Sequence, residues 1–408
     1  MTGSSAREAA RRTAQRAALR AILPNKAETE LLRAILWSGQ RGREAWEGLR
    51  TRLGGLAAGI DRLEPAQRGL LPLLHVAALR NGIVLGSEDA TYLRAAHLRE
   101  ELRGHAYRRI QSALLEILAE AGLRVVILKG CALADTVYPD PATRHSHGIE
   151  LLVHEADLAR LPTSLTAAGF DAEWGYGTRH HDTACLSWRH ERGLPLDLRL
   201  TLFEPELYRL PAAELWDGSK PLPHGHAHAR MLSPEHNLLH AAAGAVLAPS
   251  RVTLRWACDA WYLLARHGPE LDWPAFLAAG HEAHLTLPLS LGLAYLAREL
   301  DAPIPPAVVS TFEADALVAS PLAHEVALLA GLTGAHSRMR AGILSAPTVR
   351  AKLDVLGPLL LPSRVTIRAF EDRPRWLAHH HASRWFRYVL RRLRRAGTRT
   401  IVWGRPSP

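Results

Sequence analysis

Residues 122–153 read GLRVVILKGCALADTVYPDPATRHSHGIELLV, and they contain the clearest indication of the fold. It contains two short aliphatic runs, Val125–Leu128 and Ile149–Val153, and glycines lie close to both. Short apolar runs bounded in this way are typical of buried strands. Between them, the Lys129-Gly130 turn leads into a segment of helical character that ends at Pro139-Asp140-Pro141. The order strand, turn, helix, strand predicts the centre of a small sheet.

A third run, residues 194–200, alternates between leucine and other residues. Its leucines share one face, which leaves Asp197 and Arg199 on the other. The same alternation separates Glu150 from its apolar neighbours, so Glu150 and Asp197 converge if the two strands are adjacent. Two nearby carboxylates are a natural Mg²⁺ site, because a hard cation takes oxygen ligands and offsets their repulsion. The alternative is that both are ordinary solvated residues on a half-covered sheet.

The turn after the first strand predicts a phosphate site. Backbone N–H groups at the start of a helix, with Lys129 and Gly130 beside them, would suit a polyphosphate. The sequence contains no GxSxG motif, P-loop or zinc-protease motif. Cys131, Cys185 and Cys258 are too widely spaced for a disulfide framework or a zinc knot, and we interpret them as small buried hydrophobes.

The flanking sequence has helical periodicity on both sides of the strands. Before them, we predict helices near 28–38, 69–80 and 89–121, the last with an apolar stripe of Leu93, Leu98, Leu102, Ile110, Leu114, Leu115 and Leu118. After residue 234, we predict helices over 235–247, 253–266 and 273–300. The fold class is therefore α+β, a small mixed sheet embedded in helical regions. The predicted domains are a helical region 1–104, a core 105–230, a helical domain 231–345 and a basic helical segment 346–408.

Composition limits the classes of protein and partner. The chain has 408 residues and no apolar run long enough to cross a membrane or to form a signal peptide, so we expect a cytoplasmic protein. A net charge of +10 favours anionic partners, although a bias towards arginine can produce such a charge by itself. Residues 383–395 form a basic amphipathic pattern, which leaves peripheral membrane contact and simple packing both open. Nucleic acid is not expected, because interleaved aromatic residues are missing.

Taken together, these residues resemble a bacterial family of uncharacterised nucleotidyltransferases within the DNA polymerase beta-like superfamily. The resemblance extends from about residue 65 onward. It lies in Leu128-Lys129-Gly130, Tyr138-Pro139-Asp140-Pro141, Arg144, Gly148–Val153, Leu196-Asp197-Leu198, Leu232–Glu235, Arg255-Trp256, Asp259 and Leu361–Arg364.

The resemblance implies Mg²⁺-dependent transfer of a nucleoside monophosphate from an NTP to a small-molecule or peptide acceptor, with natural-product tailoring as one setting. Lys129 and Gly130 would bind the nucleotide phosphates. Glu150 would bind metal, and Asp197 would bind metal or activate the acceptor. The family pattern has aspartate where this chain has Gly148.

Losing that ligand predicts a site poorly built for two metal ions. The histidines on either side of Ser146 are poor substitutes, since imidazole suits Zn²⁺ better than Mg²⁺. The alternative function is a catalytically degenerate nucleotidyltransferase fold that acts as a nucleotide-, peptide- or partner-binding scaffold.

Overall fold

The structure is a computed structural model. The residues that it describes are 22–55, 59, 63–146, 148–172, 185–203, 208, 210–223, 229–247 and 254–319. His147, the predicted segment 346–408 and its amphipathic helix at 383–395 lie outside these residues. The domain boundaries named above stay a prediction.

The centre of the molecule is a seven-stranded mixed sheet. Its strands are β1 (Val125–Ile127), β2 (Ile149–Leu152), β3 (Phe170–Ala172), β4 (Cys185–His190), β5 (Pro195–Arg199), β6 (Lys220–Pro221) and β7 (Ala229–Met231). Their order across the sheet is β3-β4-β5-β2-β1-β7-β6. β2 pairs in parallel with β5, β1 pairs in parallel with β7, and the other neighbours are antiparallel. The α+β fold class predicted from the sequence is confirmed.

Helices precede the sheet. They are α1 (Lys26–Leu36), α2 (Gly39–Leu53), α3 (Pro65–Arg68), α4 (Leu71–Arg80) and α5 (Ser87–Glu120). A capping box begins α1: the Asn25 side chain accepts from the Glu28 N–H, and the Glu28 carboxylate accepts from the Asn25 N–H. Gly122 follows α5 at φ 66°, the left-handed conformation that commonly terminates a helix.

Shorter helices lie within the sheet region, and longer ones follow it. The former are α6 (Gly130–Thr136), α7 (Leu161–Ala167) and α8 (Ala212–Asp217); the latter are α9 (Pro234–Leu247), α10 (Arg255–His267), α11 (Trp273–Glu282), α12 (Thr286–Leu300) and α13 (Pro306–Ala319). The single helix predicted over 273–300 is wrong. The chain turns at His284, which has φ 58°, and Pro288 lies in the first turn of α12, where its missing N–H costs little.

The sheet separates two hydrophobic cores, which explains why β1 is apolar throughout. Val126 packs into the core that contains most helices, whereas Val125 and Ile127 pack into the core beneath α5 and α7. A strand covered on both faces has no solvated side and therefore no alternation of polar residues. The position of the sheet between helices places any polar group on its faces in a partly enclosed environment.

Two further sequence expectations differ from the structure. Leu98 and Leu102 were predicted in the buried stripe of α5, but they are 44% and 73% exposed. Buried residues of α5 lie both before and after these two positions, so Leu98 and Leu102 are exposed because they lie on a different side of the helix from its buried face. The helix α2 was not predicted, because its three glycines lower the helix propensity of this segment. Among the described helices, none combines the length and apolarity needed to span a membrane.

Candidate nucleotide and metal site

The two predicted carboxylates lie opposite each other in the sheet. β2 and β5 are parallel neighbours, and their register pairs Glu150 directly with Asp197. Alternation then buries Ile149 and Leu196 on the far face, so both carboxylates project from the same side. The two strands are therefore adjacent, which is the condition under which the sequence predicts that the carboxylates converge.

Glu150 is held by two cationic side chains. Lys129 Nζ lies 2.8 and 3.2 Å from the two carboxylate oxygens, and Arg199 Nε lies 3.0 Å from Oε2. Burial raises the pKa of Glu150, but the Lys129 ammonium and the Arg199 guanidinium outweigh it and hold that pKa far below its usual range. The carboxylate is therefore ionised and already neutralised by protein groups.

The backbone at Lys129 adopts a strained conformation. Lys129 has φ 51° and ψ −125°, a region that glycine occupies readily and other residues rarely. It directly precedes α6, whose first residue is Gly130. A side chain at Gly130 would press on Arg144 and Ser146, since an added Cβ would lie 3.1 Å from Arg144 Nη1 and 3.2 Å from Ser146 Oγ. The turn thus requires a small residue after the lysine.

Asp197 has a different environment from Glu150. Ser187, on the adjacent strand β4, is paired with Asp197 in the register and donates its hydroxyl to Oδ1. One carboxylate oxygen is thus occupied by a neutral donor. A neutral hydrogen bond offsets less negative charge than an ion pair does, so Asp197 is the less compensated of the two acids.

A buried histidine completes the surroundings of Glu150. His240 lies on α9, is 4% exposed, and packs edge to face against Phe203 with ring centroids 5.5 Å apart. Burial, reinforced by the charge of Lys129, lowers the pKa of His240 well below its ordinary value. Sequence reasoning missed this residue, because nothing in the helical pattern of α9 distinguishes it from other polar positions.

Position 148, where the resemblance implies an aspartate, is sterically closed. A Cβ added to Gly148 would lie 2.6 Å from the carbonyl oxygen of Pro195 and 3.2 Å from its Cβ. Both contacts involve the neighbouring strand β5 rather than the end of a flexible side chain. The backbone of β5 therefore occupies the space that a side chain at position 148 would need.

The donor set does not fit a pair of Mg²⁺ ions. Gly148 contributes no ligand, Glu150 is neutralised by two cations, and Asp197 is hydrogen-bonded to Ser187. No cluster of three or more histidine, cysteine or acidic residues suited to a metal occurs in the part of the chain that the structure describes. His145, considered from sequence as a replacement ligand, instead binds Glu100 through Nδ1 at 2.5 Å.

The loop that carries Arg144 is anchored to the helical region by a buried ion pair. Arg144 donates Nε and Nη2 to the two oxygens of Asp259 at 2.6 and 2.7 Å, and both side chains are 7% exposed. Tyr138 donates its hydroxyl to the same carboxylate at 2.6 Å. The helical pattern around Asp259 leaves open whether it is a helix-surface charge or a pocket wall; it is neither, because the fold buries it as the acceptor of this network.

A cleft opens next to this loop. It lies between α5 on one side and α6 with Arg144, Ser146 and Gly148 on the other. Gly130 and Gly148 line it, whereas Lys129, Glu150 and Asp197 do not. The predicted site residues therefore fall into two neighbouring places, the polar cluster on the sheet and the cleft.

The cysteines behave as small hydrophobes where the structure describes them. Cys258 is fully buried, and burial raises the pKa of the Cys131 thiol to about 11. The side chain of Cys185 lies outside the description. Neither of the described thiols is poised for chemistry, since the thiolate is the reactive form.

Comparisons with known proteins agree with the strand and turn motifs. No curated protein and no solved structure is detectably similar to the chain. The model of a family described as "Uncharacterised nucleotidyltransferase" matches residues 66–301, more than half of the sequence. These residues contain the whole sheet, the cleft and the Arg144–Asp259 network, and the chain belongs to this uncharacterised nucleotidyltransferase family.

Proposed function

We propose that this protein is a catalytically degenerate nucleotidyltransferase fold that binds a nucleotide through its phosphates without a metal ion. The observation that carries the proposal is the pairing of Glu150 with Lys129 and Arg199 at the position of a metal-binding acid. Two protein cations supply the positive charge that metal ions would otherwise bring. Placement in the DNA polymerase beta-like superfamily and a bacterial origin are part of the same proposal.

Electrostatics support this choice over a metal enzyme. The positive potential that keeps a proton off Glu150 also acts on Mg²⁺, and with twice the charge. Counting Lys129, Arg199, Glu150 and Asp197, the cluster is already neutral. An entering dication would have to displace at least one cation from Glu150 before that carboxylate could serve as a ligand.

The same arrangement leaves a route for phosphate binding. Lys129 can exchange from Glu150 to an anionic phosphate because Arg199 continues to neutralise the carboxylate. The Lys129-Gly130 turn begins α6, and the first N–H groups of a helix have no intrahelical partner. Phosphate contacts by Lys129 and the Gly130 turn therefore stay part of the proposal, while Mg²⁺ does not.

A second candidate is the active enzyme, and the pairing register of β2 and β5 favours it. Glu150 and Asp197 face the same side of adjacent strands, as a metal-binding acid and an acceptor-activating acid would require. This candidate transfers a nucleoside monophosphate from an NTP to a small-molecule or peptide acceptor, with tailoring of a natural product as one setting. It requires Lys129 and Arg199 to release Glu150 when Mg²⁺ arrives.

Calorimetric titration separates the two candidates because they predict opposite effects of one substitution. The protein is titrated with ATP, CTP, GTP and UTP, with Mg²⁺ and with EDTA. Under the metal-free proposal, Glu150→Gln releases Lys129 and increases nucleotide affinity, and Mg²⁺ has no effect. Under the enzyme candidate, binding needs Mg²⁺ and Glu150→Gln abolishes it.

Two further variants complete the design. Lys129→Met removes the ammonium and should abolish metal-free binding. Asp171→Ala serves as the matched control, since Asp171 is an exposed carboxylate on β3 of the same sheet. Metal-dependent binding that is lost in Glu150→Gln would refute the proposal in favour of the enzyme. Failure of every nucleotide to bind would refute the phosphate-binding role altogether.

A further inference from the structure

The exposed side of the long helix α5 carries two leucines at its centre. Leu98 is 44% exposed and Leu102 is 73% exposed, and the two lie one helical turn apart. Spacings of three and four residues continue this side of the helix in both directions. Its members, which we call the outer face of α5, are all exposed: Thr91, Ala95, Leu98, Leu102, His105 and Arg109.

The charged residues exposed on and beside the outer face are all basic. Arg94 lies one turn before Leu98, and Arg99 lies directly after it. Arg109 lies two turns after Leu102. The two glutamates of this stretch of α5 are only partly exposed, and it contains no aspartate. Three arginines therefore surround the leucines over about 20 Å of helix.

This concentration of positive charge is a local feature and not a result of composition. Residues 22–319 contain more acidic than basic residues, and the excess of arginine lies in residues 1–21 and 320–408. An average surface within 22–319 would therefore carry slightly more negative than positive charge. Because the two outer stretches of the sequence are themselves basic, repulsion between like charges disfavours them as partners of the outer face.

Charge also argues against a second copy of the chain as the partner. A symmetric contact brings the same patch of both copies together, so Arg94, Arg99 and Arg109 would meet a patch of their own sign. Nucleic acid would match the charge. However, no tyrosine, phenylalanine or tryptophan is exposed on this stretch of α5 to stack on bases, and the two leucines would have no role.

An anionic lipid surface matches both the apolar and the basic parts of the outer face. Leucines on a convex helix surface can enter the headgroup region of a bilayer, because lipids move aside where a protein partner would need a preformed groove. Arginines beside them reach the lipid phosphates, and the negative surface potential of an anionic bilayer attracts each of these cations.

We infer that the outer face of α5 docks on an anionic lipid bilayer, with Leu98 and Leu102 in the headgroup region and the three arginines on lipid phosphates. The helix then lies parallel to the plane of the bilayer. This contact is independent of the proposed nucleotide site, whose Lys129 and Glu150 belong to the sheet region. It also differs from contact through residues 383–395, because it uses a helix that the structure describes.

The test is co-sedimentation of the full-length protein with vesicles of equal parts phosphatidylserine and phosphatidylcholine, or of phosphatidylcholine alone. We expect binding to the anionic vesicles only, and weaker binding as the salt concentration rises, because salt screens the attraction of arginine to phosphate. Arg99→Gln should weaken binding about fivefold, the effect of one cation near an anionic surface. Leu102→Gln should weaken it about tenfold or more, since it removes the more exposed of the two leucines.

Two exposed residues on other helices provide matched controls. Leu79→Gln, on α4, removes a leucine that is 68% exposed, and Arg43→Gln, on α2, removes an exposed arginine. Both variants should bind the anionic vesicles as the wild type does. Substitutions of exposed side chains change stability little, and Leu98→Gln is a second apolar variant if Leu102→Gln folds poorly.

The inference is overturned if the wild type does not bind the anionic vesicles, or if it binds phosphatidylcholine equally well. Binding that is the same in the wild type and in the α5 variants would assign it to another part of the chain and overturn it too, as would equal losses in Leu79→Gln and Leu102→Gln. A wild type that binds polyglutamate but not vesicles would assign the outer face to an acidic protein instead. A dimer that Leu102→Gln dissociates would assign the face to a second copy.

Discussion

Replacing Gly148 tests whether the site could still carry the aspartate of the family pattern. The conformation of Gly148 does not itself demand glycine, because its φ lies outside the left-handed region. Space is the constraint, since a Cβ would lie 2.6 Å from the Pro195 carbonyl oxygen. Real Cβ atoms do not approach backbone oxygen so closely, so β2 and β5 would have to separate at this point.

The magnitude follows from the cost of overpacking. Forcing one methyl group into a filled position destabilises a protein by about 1–3 kcal/mol. We therefore expect Gly148→Ala to lower the free energy of unfolding by that amount. Gly148→Asp should cost more, since it adds a carboxylate beside the Pro195 carbonyl oxygen, and it should not restore Mg²⁺ binding.

The matched control is Gly48→Ala. Gly48 lies in the middle of α2 with nothing within 4 Å of an added Cβ, and alanine there should stabilise the protein by about 0.5–1 kcal/mol. In urea denaturation, Gly148→Ala should thus lower the free energy of unfolding and Gly48→Ala should raise it. A Gly148→Ala variant as stable as the wild type would refute the steric reasoning. A stable Gly148→Asp variant that binds Mg²⁺ would also refute the degenerate assignment.

The remaining predictions concern the ion pairs and the strained turn. Lys129→Gly should be more stable than Lys129→Ala by about 1–3 kcal/mol in urea denaturation, because glycine adopts φ 51° and ψ −125° without strain; equal stabilities would contradict this. The pKa of Glu150 is depressed below its ordinary 4.5, so the stability advantage of the wild type over Glu150→Gln should be full above that pH and decline as the pH falls towards the folded-state pKa. Denaturation of both proteins at about pH 7 and about pH 3 checks the direction of this pH dependence. A stability advantage of the wild type that grew as the pH fell would contradict the depressed pKa of Glu150. Asp259→Asn should destabilise the fold by about 3–5 kcal/mol, since it leaves the buried Arg144 uncompensated, whereas Tyr138→Phe should cost about 1–2 kcal/mol; thermal or urea denaturation compares them, and similar losses would argue against a buried ion pair.

Local sequence determined the elements that surround the site. The aliphatic runs at 125–128 and 149–153 are too short for helices and too apolar for loops, so their assignment as strands needed no tertiary information. Alternation along 194–200 likewise placed Asp197 and Arg199 on one face. Glycine at 122 marked the end of α5, because few other residues adopt the left-handed conformation there.

The sequence alone could not assign partners to the polar residues. Arg199 was correctly placed beside Asp197, yet its ion pair crosses to Glu150 on the next strand and depends on the register. Asp259 lies 115 residues from Arg144, and the periodicity of α10 does not predict that the fold buries it. His240 reaches the same cluster from a helix that only tertiary packing brings to the sheet.

The fold class was therefore predictable from the sequence, because strand length, turn chemistry and alternation are local properties. The family was indicated separately, by the resemblance of the sequence motifs. The charge balance and the free space at the candidate site could be read only from the tertiary structure. Charge balance and free space depend on which backbone and which cations approach Glu150 and Gly148. Lys129 and Arg199 neutralise Glu150, and the Pro195 carbonyl occupies the space that a side chain at position 148 would need.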